Sequence, residues 1–288
     1  MIRLATGPVT WGVDFADAPG NPPWERVLDE IAASGVRALE LGPVGYLPEK
    51  PDVARAALDA RALTAAGSFV FDDFHDPSRE AEVAAAAERA ARFVAGAGGR
   101  VLVLIDRPGA ERAATAGSSL DARRLGEREW TAMVDVLRRC AAIAQEHGLL
   151  PAVHPHVGSY LEFEDEIERL LDDTDLGLCL DTGHAAYAGI EPERAIVAYG
   201  PRLVHVHLKD VRVEVVDRGL DFWTAIAAGV FCRLGEGAVG LPAVLDALDE
   251  IGYDGYATIE QDRVPGSGSP LEDLAASVRA LEAAGAVW

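Results

Sequence analysis

The chain has 288 residues, of which 49% are hydrophobic and 25% charged, and its formal net charge is −21 at pH 7. This acidic balance argues against nucleic acid as a partner, because phosphate contacts need clustered Lys and Arg side chains. No apolar stretch approaches the roughly 18 residues of a membrane span, and no basic region precedes an apolar segment at the N-terminus. We therefore expect neither a membrane segment nor a signal peptide.

The three cysteines, Cys140, Cys179 and Cys232, lie far apart in apolar or helix-like surroundings. Their spacing matches neither a cysteine metal motif nor a disulfide framework. We therefore expect the protein to reside in a reducing cytoplasm.

Strand-like and helix-like segments alternate along the whole chain without a linker. The eight strand candidates are Arg3–Val9, Val36–Leu41, Gly67–Phe71, Arg100–Ile105, Leu149–His154, Leu176–Asp181, Leu203–Leu208 and Tyr256–Glu260. The helix candidates are Pro23–Ser34, Asp52–Ala65, Pro77–Ala95, Gly126–His147, Glu164–Leu171, Glu191–Tyr199, Leu241–Ile251 and Pro270–Ala284. Eight such units predict an α/β fold, a single (β/α)8 TIM barrel domain over residues 1–288. A doubly wound open sheet is the structural alternative.

Two longer connections interrupt this regular alternation. Asp106–Arg123, after the fourth strand, is rich in small residues and predicts a mobile loop. Asp210–Gly240, after the seventh, contains a G-x-G-x-x-G pattern from Gly235 to Gly240. No strand immediately precedes this pattern and no βαβ unit follows it, so we interpret it as a flexible turn and not as a dinucleotide site.

Polar side chains occupy the inward positions at the carboxyl ends of the last four predicted barrel strands. Side chains alternate along a strand, so the leucines of Leu176–Asp181 share one face and Asp181 lies on the other. The same alternation turns His154, His207 and Glu260 inward. Carboxylates and imidazoles that meet in a dry barrel mouth are most simply satisfied by a divalent cation. We predict that these four residues bind Mn²⁺, Co²⁺, Zn²⁺ or Mg²⁺; a hydrogen-bonded network without metal is the alternative.

Other side chains are expected near the same mouth. His156 is a substrate contact or a replacement for His154 as a ligand, and His184 is a candidate acid or hydroxyl binder. Lys209 follows the seventh strand, and Glu40 ends the second on an inward position. Further candidate substrate contacts, as an apolar wall or lid, are Trp11 and Trp223, for which ordinary loop packing is the alternative.

Several of these stretches resemble the xylose isomerase-like superfamily, which includes hydroxypyruvate isomerase, ketose 3-epimerases, myo-inosose-2 dehydratase and endonuclease IV. The resemblance covers essentially the full length and points to the dehydratase branch and its sugar isomerase-like relatives. The stretches that carry it are Glu40–Gly42, His154–Gly158, Asp181–His184, His205–Asp210, Gly229–Phe231 with Gly235–Gly237, and Glu260–Asp262.

The resemblance implies a metal-assisted reaction beside the carbonyl of a sugar or polyol. Asp181, His207 and Glu260 match metal positions of the superfamily, whereas His154 stands where isomerases and epimerases typically have a glutamate. A dehydratase is therefore the first hypothesis, with Glu260 as the base and His184 or Lys209 as the acid. The alternatives are a ketose or keto-acid isomerase or epimerase, a DNA-repair enzyme, which the charge disfavours, and a barrel that binds without turnover.

The resemblance also bears on cofactors and assembly. The dehydratases are associated with glutathione, for which this sequence carries no recognisable residue pattern. Family members often form dimers or tetramers, so a homo-oligomer is compatible with the resemblance, although no interface signature is evident.

Overall fold

The computed structural model describes residues 2–288. The strands are β1 (Arg3–Thr6), β2 (Ala38–Glu40), β3 (Thr64–Asp72), β4 (Val101–Asp106), β5 (Leu150–Val153), β6 (Gly177–Asp181), β7 (Leu203–Leu208), β8 (Asp210–Val211), β9 (Phe231–Cys232) and β10 (Tyr256–Ile259). All but β8 and β9 form a closed, parallel, eight-stranded barrel. The predicted (β/α)8 fold is confirmed, and the open-sheet alternative is excluded by the pairing of β1 with both β2 and β10.

Helices surround the barrel and fill its longer connections. They are α1 (Trp24–Ser34), α2 (Pro51–Asp59), α3 (Glu80–Ala97), α4 (Ala110–Ala113), α5 (Glu127–Glu146), α6 (Glu164–Asp173), α7 (Thr182–Tyr187), α8 (Pro192–Tyr199), α9 (Val213–Val216), α10 (Phe222–Ala227), α11 (Leu241–Glu250) and α12 (Pro270–Ala283). In residues 2–288, none of the helices is both long enough and apolar enough to cross a membrane.

The alternation of side chains along the strands divides the core into two layers. Leu178 and Leu180 on β6 belong to the large cluster between the strands and the outer helices. Cys179, between them in sequence, belongs to a separate cluster inside the barrel, with Val103 of β4 and Ala152 of β5. This is the arrangement that the period of two predicts, and it directs every second side chain of a strand towards the barrel axis.

Two predicted elements near the N-terminus are too long. The first strand ends at Thr6 instead of Val9, and a 3₁₀ turn follows from Pro8 to Trp11 because the proline lacks the N–H that a strand ladder needs. The predicted helix Asp52–Ala65 ends at Asp59, since Ala62 adopts a left-handed φ of 54° and redirects the chain into β3. No sequence pattern marks this turn, because the alanine-rich segment favours a continuous helix.

The segment Asp106–Arg123, predicted to be a mobile loop, is partly helical and is anchored by a buried side chain. It contains the short helix α4, and its Arg112 side chain is fully buried between two carboxylates. Arg112 Nη1 lies 2.6 Å from Glu166 Oε1, and Arg112 Nη2 lies 3.3 Å from Glu162 Oε2. These charged hydrogen bonds attach the segment to the beginning of α6.

The turn from Gly235 to Gly240 is also more constrained than predicted. The Asp210 carboxylate accepts hydrogen bonds from the backbone N–H groups of Gly235, Gly237 and Val239, each at 2.9 Å, and from that of Val211 at 2.8 Å. Glycine is required at Gly237 because a Cβ there would lie 2.3 Å from Asp210 Oδ1. The glycines therefore serve a structural anchor.

Candidate active site

A cleft opens at the carboxyl ends of the barrel strands. About 520 Å³ of space lies within it, part of which is open to solvent. Its polar lining consists of Asp14, His154, His156, His184, His207, Lys209, Glu260 and Asp262. These side chains are donated mainly by the ends of β5, β6, β7 and β10, so the predicted convergence of the last four barrel strands is what the structure contains.

Asp181 lies just beneath this lining, and its two carboxylate oxygens make different contacts. Its Oδ1 accepts hydrogen bonds from the backbone N–H groups of Gly183, at 2.8 Å, and His184, at 2.9 Å, and so caps α7. Its Oδ2 faces His207 Nδ1 at 3.6 Å and Lys209 Nζ at 3.0 Å. The Asp-x-x-His spacing is therefore a helix cap that brings His184 back over the strand end, and this short helix was not predicted.

Acidic and imidazole groups meet around His207. Its Nδ1 is 3.2 Å from Glu260 Oε2, and Asp181, His207 and Glu260 each offer one atom within 4.8 Å of the others. His154, which directly follows β5, places Nε2 3.7 Å from Asp181 Oδ2 and forms a second such group with Asp181 and His184. The structure thus brings the four predicted metal-site residues together, with Asp181 common to both groups.

The ammonium of Lys209 lies among three carboxylates. Lys209 Nζ is 3.0 Å from Asp181 Oδ2, 3.0 Å from Asp262 Oδ1 and 3.2 Å from Glu260 Oε2. Burial alone would lower the pKa of Lys209, but the charges of Asp181, Asp262 and Glu260 hold it well above its ordinary value. Burial would likewise raise the pKa of Asp181, yet the charge of Lys209 keeps it well below its usual range. Both groups are therefore charged.

Glu40 was predicted to contact substrate, but it does not line the cleft. It lies 2% exposed inside the barrel, where its Oε1 is 2.8 Å from His205 Nε2 and 2.9 Å from His207 Nε2. Burial would raise the pKa of Glu40, but His207 and His205 hold it well below its ordinary value. Glu40 therefore acts on the imidazoles of β7 and has no direct access to a ligand.

His184 and His156 stack at the entrance, with ring centroids 4.0 Å apart. The backbone N–H of Val157 points to His184 Nδ1 at 3.3 Å, and His184 Nε2 lies 3.4 Å from Asp262 Oδ2 and 3.2 Å from Lys209 Nζ. Burial, reinforced for His184 by Lys209 and for His156 by His184, lowers the pKa of both imidazoles well below the ordinary value. Both rings are therefore neutral hydrogen-bonding groups.

The remaining lining of the cleft is apolar. Phe69 and Phe71 come from β3, Ile105 from β4, and Phe222 and Trp223 from α10. Because β3 and β7 are four positions apart in the ring of eight strands, the two groups of aromatic side chains come from opposite sides of the mouth. Trp223 is 42% exposed at the rim, where it was predicted to lie.

Trp11, by contrast, was predicted to contact substrate, but its side chain does not line the cleft. Its indole is 2% exposed, packs in the outer core and donates from Nε1 to Glu30 Oε2 on α1 at 2.6 Å. The 3₁₀ turn that replaces the end of the predicted first strand directs this side chain away from the cleft. Ordinary loop packing, the alternative considered for Trp11, is what the structure contains.

Two acidic residues of the lining were not predicted. Asp262 follows Glu260 by two residues, so the same alternation could have identified it. Asp14 lies in the connection after the 3₁₀ turn, where no pattern marks it, and burial together with the nearby Asp262 raises its pKa to about 7. It therefore titrates near neutral pH.

Comparison with known proteins identifies the family. A family model described as xylose isomerase-like TIM barrel matches residues 28–284. The chain belongs to this family. Among curated relatives of this xylose isomerase-like barrel, an inosose dehydratase of Geobacillus kaustophilus (strain HTA426) is 31% identical over 281 residues, covering 93% of this chain and 90% of the relative. The rhizopine catabolism protein MocC of Rhizobium meliloti is 30% identical over 277 residues, covering 94% and 84%.

Solved structures agree with the barrel assignment. A D-allulose 3-epimerase from Methylomonas sp. superposes with a TM-score of 0.73 at 16% identity, covering 98% of each chain. The 3-keto-D-glucoside 4-epimerase YcjR from E. coli gives 0.74 at 17% identity, covering 98% of this chain and 100% of the other. At these identities the structural matches bear on the fold alone. The predicted resemblance to the superfamily and to inosose dehydratases is confirmed, and the curated relatives support an enzyme of this superfamily.

Proposed function

We propose that this protein is a divalent-metal-dependent dehydratase that removes water beside the carbonyl of a keto-polyol of the inosose type. The observation that carries the proposal is the meeting of Asp181, His207 and Glu260 in the cleft, with Lys209 in contact with both carboxylates. The inosose dehydratase relatives, about 30% identical over nearly the full chain, favour this substrate class.

The donor atoms suit a divalent cation. His207 Nδ1 is buried without a hydrogen-bond partner and faces Asp181 Oδ2 at 3.6 Å, and His154 Nε2 lies 3.7 Å from the same oxygen. Glu260 adds a further oxygen beside His207, and mixed nitrogen and oxygen donors suit Mn²⁺, Co²⁺, Zn²⁺ or Mg²⁺. Asp181, Asp262 and Glu260 surround the single ammonium of Lys209, and this excess of negative charge favours a further cation.

Within this proposal, the chain supplies a base and an acid. When bound, the cation would polarise the substrate carbonyl and acidify the neighbouring C–H bond. Glu260 accepts that proton, and the electron pair of the C–H bond forms a C=C bond as the C–O bond of the next carbon breaks. Lys209 donates a proton to the departing hydroxyl, which leaves as water. Neutralisation of Glu260 makes this easier, since it removes one of the charges that hold the Lys209 proton. His184 Nε2, beside Lys209 at 3.2 Å, is available to hold a substrate hydroxyl.

The test is turnover of an inosose by protein stripped with a chelator and then supplied with Mn²⁺. We expect loss of substrate and growth of a dione chromophore only after the metal is added. Asp181→Asn should reduce kcat/KM by about 100-fold or more, because it removes charge that both the metal and Lys209 use. Asp106→Asn is the matched control, since Asp106 also ends a barrel strand, is equally buried and hydrogen-bonds His75 outside the cleft.

Three results would contradict the proposal. Turnover that is insensitive to the chelator would exclude a role for the metal. Equal losses of kcat/KM in Asp181→Asn and Asp106→Asn would mean that the loss reflects impaired folding. Solvent deuterium entering an unconverted ketose without loss of water would identify the alternative, an isomerase or epimerase.

A further inference from the structure

Glu40 joins two histidines that are two residues apart on another strand. It is the last residue of β2. Its Oε1 lies within hydrogen-bonding distance of two imidazole nitrogens, His205 Nε2 at 2.8 Å and His207 Nε2 at 2.9 Å. His205 Nε2 is also 3.1 Å from Thr258 Oγ1 on β10. All of these groups are buried, so Glu40 has a fixed position under the cleft.

A carboxylate accepts hydrogen bonds and cannot donate them. Each imidazole that contacts Glu40 through Nε2 must therefore carry its hydrogen on that nitrogen. For His207 this leaves Nδ1 as the atom that faces Glu260 Oε2 at 3.2 Å and Asp181 Oδ2 at 3.6 Å. With hydrogen on Nδ1 instead, neutral His207 would present no lone pair to the cleft.

We propose that Glu40 is a positioning residue that fixes the orientation and tautomer of His207, so that Nδ1 is directed at the cation site, while His205 holds Glu40 in place. The part that concerns the cation rests on the function proposed above; the part that concerns the hydrogen of His207 does not. Carboxylates behind a ligating imidazole typically change metal affinity by about 10- to 100-fold when they are mutated.

The first test uses metal-free wild-type protein. The ring nitrogens of ¹⁵N-labelled histidines are observed by NMR and assigned by single histidine substitutions. The expected result is a protonated Nε2 in His207. A neutral His207 with its hydrogen on Nδ1 overturns the proposal whether or not the protein binds metal.

The second test compares Mn²⁺ binding by wild type, Glu40→Gln and Glu162→Gln. Glutamine retains the size of the side chain but removes the charge that accepts two imidazole N–H groups. Glu162 is the control because it is as buried as Glu40, at 2% exposure, but contacts Arg112 and the backbone instead of histidines. We expect the Kd for Mn²⁺ to rise by about 10-fold or more in Glu40→Gln alone.

The outcomes separate this inference from the proposed function. If Glu40→Gln and Glu162→Gln lose thermal stability alike and both retain the wild-type Kd, the role of Glu40 is structural and the proposal fails. If wild type binds no Mn²⁺, the metal-dependent function fails, and the NMR result alone decides whether Glu40 sets the tautomer.

Discussion

Lys209 is unusual because it is a lysine that is almost fully buried. The sequence contains 26 Lys and Arg residues, and only Lys50 and Lys209 are lysines. Lys209 is 1% exposed, and its Nζ lies 3.0 Å from a carboxylate oxygen of each of two aspartates, Asp181 and Asp262. A compact ammonium can occupy such a space and can still give up a proton, whereas a guanidinium cannot. The same charge competes with any metal ion that uses Asp181 and Glu260.

We therefore predict that Lys209→Met binds Mn²⁺ more tightly than wild type while losing turnover. Two unit charges about 4 Å apart interact by roughly 4 kcal/mol at an effective dielectric constant near 20, so an increase in affinity of about tenfold or more is expected after rearrangement of the site. Titration of Mn²⁺ followed by electron paramagnetic resonance of the free ion measures it. The exposed Lys50→Met variant carries the same change in net charge and should behave as wild type. Unchanged or weaker binding in Lys209→Met would mean that the ammonium does not oppose the cation.

The connection between β7 and β10 depends on one aspartate. Asp210 binds four backbone N–H groups and thereby attaches the Gly235–Gly240 turn to the strand pair β8–β9. The same connection carries α10, whose Phe222 and Trp223 line the cleft. An anchor that is distant in sequence from the turn thus supports one wall of the site.

We predict that Asp210→Ala lowers the free energy of unfolding by about 2–4 kcal/mol, because two buried and two partly buried N–H groups lose a charged acceptor. Denaturant unfolding measures this, and limited proteolysis should detect new cleavage within residues 233–240. Asp217→Ala, in the same connection but exposed to solvent, is the control. Equal stability of the two variants would show that water replaces the carboxylate at no cost.

At the level of the elements, the alternation of side chains along the strands predicted which residues meet at the candidate site. It directed His154, Asp181, His207 and Glu260 to one end of the barrel, and extending it by two residues would have added Asp262. It could not predict the partners of those groups, because Glu40 and His205 are 165 residues apart in sequence. Nor could it predict the direction of Trp11 or the position of Asp14, since both depend on a 3₁₀ turn and the loop after it.

Metal binding should also be visible in the whole molecule. A ligand that binds only the folded state stabilises it by RT ln(1 + [L]/Kd), which is about 2.7 kcal/mol at a concentration 100 times Kd. For a chain of this size we therefore predict that Mn²⁺ at this concentration raises Tm by roughly 5 °C. Differential scanning calorimetry with and without chelator measures the shift, and Asp181→Asn should lose it. A wild-type Tm that is the same with and without chelator would contradict metal binding at the folded barrel.

The order of the strands has a consequence for protein synthesis. β10, which precedes Glu260, pairs with β7 on one side and with β1, at the start of the chain, on the other. Parallel neighbours so distant in sequence associate late, because the chain between them must be ordered first. A nascent chain on the ribosome therefore holds His154, Asp181 and His207 before their last acidic partner has emerged. Until β10 pairs with β1 and β7 the barrel is open, and Glu260, the base in the proposed reaction, is not beside His207.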